Sequence, residues 1–493
     1  MARTTKQDVH NYGASPSTPL LPPPEQEETP ELTSHHRFRI RKLLLVLLCV
    51  SLLTPLYQIA KFCFPDWPFP SNPRPPSIPW RFYSRQYEYG LTPKTTSDSY
   101  TLSIHESINS NHFPLGITGS VKLLTGKPTQ SHSLLVYVQV MSTFSSPVNC
   151  IKPNHIIVEG SAENITITSI PNEHPVNRDP SEFHDPQTFV NIYIYTRPQP
   201  VRLGHVSIST DLLPITIPQS GAHFQTTRLS LSSTHNPISN LADYGKADLM
   251  YASEMYLYSR HSHITGFWYY GLSYSAIAPE DDVRITLYPQ KISWGPYTPA
   301  DITISGNRTV AVNMPFYDSA LSLRNSSISI TSSGGDVFAR VVAGSSTQLK
   351  APAGSIIACL LPYWGYMSDG NLGVFTPKFE THSYFNTKLE VYTPAVNGIG
   401  AENPLELTNA KHVADLGWVR ATYPAGFWKG RIDVESTSGR PEILGVDGKE
   451  IPGVVREGVG RAYLEGQNLV SSVSVVAGKE AIFEVQEAGT YAP

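Results

Sequence analysis

Two short strings hold the residue types that bind metals or move protons. His261-Ser262-His263 would set two imidazoles on one face of a strand, since strand side chains alternate with a period of two, and paired imidazoles suit a zinc-type ion. The spacing supplies no third ligand, and solvent-facing strand histidines are commoner than metal sites. Glu280-Asp281-Asp282 follows Pro279 and could serve a cation or a sugar-nucleotide enzyme; such a run after proline reads more simply as a solvated turn. Nucleophile and cofactor motifs are missing. Gly365-Tyr-Met-Ser368-Asp-Gly370 lacks the Gly-x-Ser-x-Gly spacing of a nucleophile elbow. Gly458-Val-Gly460 meets Tyr463 where a dinucleotide fingerprint needs a third glycine, and there is no Walker loop. No catalytic, cofactor-binding or metal-ligating residue is therefore assigned, and the chain is expected to be no enzyme and to need no cofactor.

Covalent chemistry has clearer candidates. Asn164, Asn307 and Asn325 each begin an Asn-x-Ser/Thr acceptor for N-glycosylation. Cys150 and Cys359 are the only thiols after Cys63, so a bridge between them is one option and two buried free thiols the other. Cys63 itself reads as an unmodified thiol. Trp268, Tyr269, Tyr270, Trp294, Trp364, Tyr366, Phe427 and Trp428 could stack on sugar rings, although aromatics in a β protein are more often core.

These residues must be placed by a chain of unusual make-up. Its net charge is −4 and only 16% of residues are charged, so it lacks the clustered cations that nucleic acid demands. Its 42 prolines outnumber its 37 lysines and arginines, which favours strands and turns over helices. Residues 1–42 are polar and proline-rich, with too little to bury, and read as a disordered cytosolic tail. Residues 43–60 (LLLVLLCVSLLTPLYQIA) carry no charge and would span about 27 Å as a helix, close to a bilayer core. Arg37, Arg39, Arg41 and Lys42 precede that run against a single Lys61 after it. The positive-inside bias then predicts a type II signal anchor, with the N-terminus cytosolic and the remainder lumenal or extracellular. Residues 65–80 hold seven prolines and read as a stalk.

From residue 81 onward, period-two runs such as SLLVYVQVM (133–141) and FVNIYIYT (189–196) predict strands. Only Asn240–Tyr258 offers a helix. A short theme recurs, ending in Gly in ISITSSGG (328–335), IDVESTSG (432–439) and TQLKAPAG (347–354), and in Asn in LSLSSTHN (229–236) and ITITSIPN (165–172). Both endings point to a turn with positive φ. The interval from Gly335 to Gly354 is close to one coil of a solenoid. The expectation is a mainly β ectodomain of two regions: residues 81–235, less regular and open to a β-sandwich, and residues 236–493, β-solenoid-like.

The repeat, together with YPAGFWKGRIDVESTSGRPEILGVDGKEI (423–451) and GVGRAYLEGQNLVSSVSVVAG (458–478), resembles a group of uncharacterised fungal single-pass membrane proteins with an adhesin-like β-repeat ectodomain. That resemblance implies no catalytic residues. The anchor and stalk, the repeated short strands and the missing nucleophile, cofactor and metal motifs together lead to the expectation of a non-enzymatic membrane protein, tethered to the lipid bilayer by one helix, that displays its adhesin-like β domain to cell-wall glycans or protein ligands. The alternative is a carbohydrate-binding or carbohydrate-active protein of the secretory pathway. A glycosyltransferase fits poorly, for the chain has no Asp-x-Asp and almost no helical pattern.

Overall fold

The computed structural model describes residues 81–91, 101–110, 117–144, 156–170, 188–197, 202–219, 221–242, 250–290, 300–315, 325–362, 377–392, 404–446, 448–451, 453–456, 459–464 and 471–486. The expected anchor at 43–60 and stalk at 65–80 lie outside them. Among the described residues no helix is long and apolar enough to cross a membrane. Residues 79–493 form one compact unit.

Among the described residues that unit is mainly β, with a 3-10 turn at Pro404–Leu407. From Thr188–Thr196 to Pro441–Leu444 the described strands fall alternately into a fifteen-stranded and a sixteen-stranded sheet, so each coil there lays one strand on each. Successive coils pair in parallel. In the sixteen-stranded sheet Ile328 pairs with Thr347, and Thr347 in turn with Phe379, a wider interval in sequence. In the fifteen-stranded sheet Val337 pairs with Ile356, at the same interval as Ile328 with Thr347. The coils are therefore of unequal length. The parallel pairing runs across the 235–236 junction, Val206 pairing with Leu229 and Leu229 with Met255.

Alternation explains why the sheets face each other. Ile238, Ile264, Val283, Val310, Val337 and Ile356 stand in register on six neighbouring strands, all buried. Val206, Leu229, Met255, Tyr274, Ile302 and Ile328 form the matching inward row opposite, and both rows belong to one continuous core. Burial of each such side chain contributes about 1.5–3 kcal/mol. The sequence expectation of a helix over 240–258 fails here. Met250–Ser259 is a strand, because Met250, Ala252, Met255 and Leu257 face the core while Tyr251, Ser253, Tyr256 and Tyr258 do not.

The repeated theme closes the turn after a strand of the sixteen-stranded sheet, and its chemistry differs from that expected. The amide of Gly335 donates to Ser332 Oγ at 3.2 Å, and Ser332 Oγ donates to the Arg308 carbonyl of the coil before at 2.6 Å. A Cβ on Gly335 would lie 1.9 Å from that same carbonyl oxygen. Ser436 and Gly439 repeat the arrangement against the Lys479 carbonyl, again with 1.9 Å for a Cβ. Neither glycine has a positive φ. Glycine is needed because two coils touch, not because the backbone turns left-handed. The Asn ending solves the contact differently: Asn236 keeps the amide bond to Ser233 Oγ, and its own Nδ2 donates to the Leu212 carbonyl one coil back.

The N-terminal edge of each sheet is an antiparallel strand. Arg81–Leu91 edges the fifteen-stranded sheet at the N-terminal side, antiparallel to Leu134–Phe144, and Ile156–Gly160 edges the other, antiparallel to Asn164–Ser169. At the C-terminal side Ser472–Ala477 and Ala481–Gln486 return into the stack. They insert between the coil 409–424 and the coil 430–444, which precede them in sequence.

Candidate binding face

The outward side chains of the fifteen-stranded sheet form one unbroken row. In register it runs Glu88, Tyr137, Tyr193, Lys122, Thr216, Ser239, Thr265, Arg284, Ala311, Phe338, Ile357, Lys388, Arg420, Ile482 and Glu442. At about 4.8 Å per strand this row is about 67 Å long. Its chemistry changes in zones.

The first zone is aromatic. Tyr137 and Tyr193, on neighbouring strands, have ring centroids 6.3 Å apart, and Tyr193 and Tyr195, on the same face of one strand, 6.1 Å with planes 21° apart. Lys122 Nζ sits 5.9 Å from the Tyr193 centroid, within cation–π range. One step along that face from Tyr137 and Tyr193, Gln139, Asn191 and Ser120 form an uncharged polar row; Ser120 Oγ and Asn191 Oδ1 are 3.5 Å apart. All are half-buried. Burial and the neighbouring phenols push the Tyr195 hydroxyl up, so it stays a neutral donor.

Farther along, the small side chain of Ala311 leaves a groove of about 490 Å³ between Phe267 and Arg284 on one side and Phe338, Arg340, Ile357 and Cys359 on the other. Phe267, Phe338 and Ile357 are exposed at 37%, 41% and 48%, which makes the groove apolar at its rim as well as its floor. The last zone is ion-paired: Lys388 meets Glu390 at 2.8 Å and Arg420 meets Glu484 at 2.6 Å.

The residues singled out by spacing go elsewhere. His261 and His263 lie in a turn and not on a strand. His261 Nδ1 is 2.5 Å from Glu280 Oε2 and its ring stacks on His235 at 5.0 Å. No group of three metal-ligating side chains occurs among the described residues. Asp282 accepts the Thr309 amide at 2.8 Å and pairs with Arg284, while Asp281 faces Arg308 at 3.6 Å. The three carboxylates thus close a turn against its neighbours. Trp268, Tyr269, Tyr270 and Trp428 are core, Phe427 packs on the core, and Trp294, Trp364 and Tyr366 fall outside the described residues. Cys359 is a free, half-buried thiol 3.9 Å from the Tyr392 hydroxyl, and burial pushes it up; Cys150 falls outside the described residues. Asn164 is exposed at the start of a strand of the sixteen-stranded sheet. Asn307 and Asn325 lie between strands, their Oδ1 atoms accepting from Ser333 Oγ and the Ser345 amide. The tyrosine zone has no motif in the sequence beyond alternation: FVNIYIYT sets Tyr193 and Tyr195 on one face, opposite the buried Ile192 and Ile194.

No family model matches the chain, and no curated protein is similar to it in sequence. Among solved structures it aligns with a chain from Clostridium sporogenes described as a "putative cell adhesion protein", at 8% identity and a TM-score of 0.12, over 82% of this chain and 100% of that one.

Proposed function

We propose that this is a non-enzymatic type II membrane protein whose β ectodomain, lumenal or extracellular, is held off the bilayer by a proline-rich stalk and binds ligands on the outer face of its fifteen-stranded sheet. The observation that carries the reading is the outward row itself: a long, shallow, chemically zoned surface suits attachment to an extended partner. The acceptor asparagines support the choice of face. Asn164 is on the other sheet and Asn307 and Asn325 lie between strands, so glycans there leave the fifteen-stranded face bare. The candidate catalytic groups are engaged in turn closure, which favours binding over turnover.

The test is the full chain in lipid nanodiscs, presented with cell-wall polysaccharides and sugar nucleotides. Saturable binding without product release is expected. Product release that disappears in Asp281→Asn with Asp282→Asn, or in His261→Ala with His263→Ala, would overturn the non-enzymatic reading. Glycosidase treatment of the cell-expressed protein should increase its gel mobility. No change, with an ectodomain open to protease from the cytosolic side, would reverse the orientation.

A further inference from the structure

We infer that the tyrosine zone at the N-terminal end of that face is a subsite for a neutral, extended glycan chain, with Tyr137, Tyr193 and Tyr195 as stacking surfaces and Gln139 and Asn191 as its hydroxyl-reading groups. This rests on the binding role proposed above and adds the ligand class and the residues.

The argument is one of chemical match. A pyranose ring offers a face of C–H bonds and an equator of hydroxyls. It is recognised by an aromatic face next to side chains that both donate and accept, and a carboxamide does both. Tyr193 has a second ring on each of two sides, Tyr137 across the strands and Tyr195 along its own, at 6.3 and 6.1 Å. A chain of several rings can therefore touch more than one tyrosine at once. One step along the same face, in adjacent pairs, stand the amides of Gln139 and Asn191 and the hydroxyl of Ser120. Charges lie at the borders: Glu88 on one side of the tyrosine row, Lys122 on the other and already over Tyr193, and Arg197 two residues beyond Tyr195, where the Gln130 and Ser131 carbonyls engage it. An anionic lipid surface would want several cations and an unbroken apolar band, and a protein anchor would want a pocket. This zone has neither. The Ala311 groove has a single carboxamide, Asn313, in place of the paired amides, and is the internal control.

The experiment titrates the full chain in nanodiscs, so that no glycoside detergent competes, with cellohexaose, laminarihexaose and chitohexaose. At least one should bind. Tyr193→Ala and Tyr195→Ala should each weaken it by about tenfold or more, whereas Tyr193→Phe, which keeps the ring, and Phe338→Ala, in the groove, should stay within about threefold. The thermal midpoint of each variant separates lost binding from lost folding, and Asn191→Ala, which removes a hydroxyl-reading amide and should also weaken binding, carries the test if the tyrosine-to-alanine variants unfold, unchanged affinity there overturning the subsite. No binding of any of the three, or affinity unmoved by both alanine variants, would overturn the subsite. Binding lost in Phe338→Ala but kept in the tyrosine variants would also overturn it while leaving the broader binding role standing. Hydrolysis of the bound glycan would instead sink the non-enzymatic role and leave the subsite to the variants.

Discussion

His412 is the sharpest single-residue commitment in the core. Its Nδ1 lies 3.1 Å from Thr381 Oγ1 and its Nε2 3.0 Å from the Tyr423 hydroxyl, with Tyr423 packed on Trp428 and Phe483. Full burial pushes the imidazole down to about 3 and the Tyr423 phenol up, so both stay neutral in the folded chain. Unfolded, the histidine takes a proton near its ordinary value of about 6.5. The folded state therefore binds fewer protons between those values, and stability is lost as pH falls below about 6.5. Between pH 8 and pH 5 that one group should cost about 2 kcal/mol. Denaturant titrations of His412→Gln should show a flatter pH profile than the parent over that range, from a lower starting stability at pH 8. Equal slopes would mean that His412 does not titrate as its burial dictates. Nothing near residue 412 in sequence flags this, since KHVADLGW reads as an ordinary alternating strand and the partners Thr381 and Tyr423 arrive from other strands.

At the scale of the element, the turns decide whether one coil can sit on the next. Gly335→Ala forces a Cβ into the Arg308 carbonyl and should cost about 1–3 kcal/mol, whereas Ser332→Ala, losing a hydrogen-bond bridge, should cost about 1 kcal/mol. Urea midpoints for the two variants test the order; a cheaper glycine substitution would show that the coils separate freely. Glu106 is a second fastening. Its buried carboxylate accepts the amides of Ile108 at 2.7 Å, Asp211 at 3.1 Å, Leu212 at 3.0 Å and Leu213 at 3.1 Å, tying the Asp211–Leu213 turn to the neighbouring coil. Glu106→Ala strands the Leu212 and Leu213 amides, while the Asp211 amide keeps the Glu106 backbone carbonyl at 3.1 Å, and should raise hydrogen exchange at 212–213 well above that of the flanking strands, which Arg202–Thr210 and Ile215–Ile217 supply. Unchanged exchange there would mean the turn holds itself. Alternation made the strands legible in sequence, and the interval from Gly335 to Gly354 revealed the coil. The cause of the glycines stayed hidden because the carbonyl they avoid belongs to another coil.

At the scale of the whole molecule, the return of the C-terminal strands changes how truncation must act. A solenoid built strictly in chain order loses only its outermost coil when its end is removed, and its remaining interfaces survive. Here Ser472–Ala477 pairs on one side with Asn409–Ala414 and on the other with Gly430–Ser436, and Ala481–Gln486 likewise bridges Val419–Pro424 and Pro441–Leu444. Ending the chain at residue 470 would take an inner coil out of both sheets. It would uncover Tyr423 and Trp428, both packed on Phe483, and leave the coil 430–444 with no parallel partner. By contrast Gly453–Arg456 lies at the open edge of its sheet, where among the described residues its strand partner is Val459–Leu464, so shortening it takes no inner coil out of the stack. The truncated chain should therefore aggregate or lose a large part of its unfolding enthalpy, while a chain lacking residues 453–456 should melt within a few degrees of the parent. Calorimetry of both decides the matter, because a stable, soluble truncation at residue 470 would mean that the final two strands merely cap a stack already complete without them.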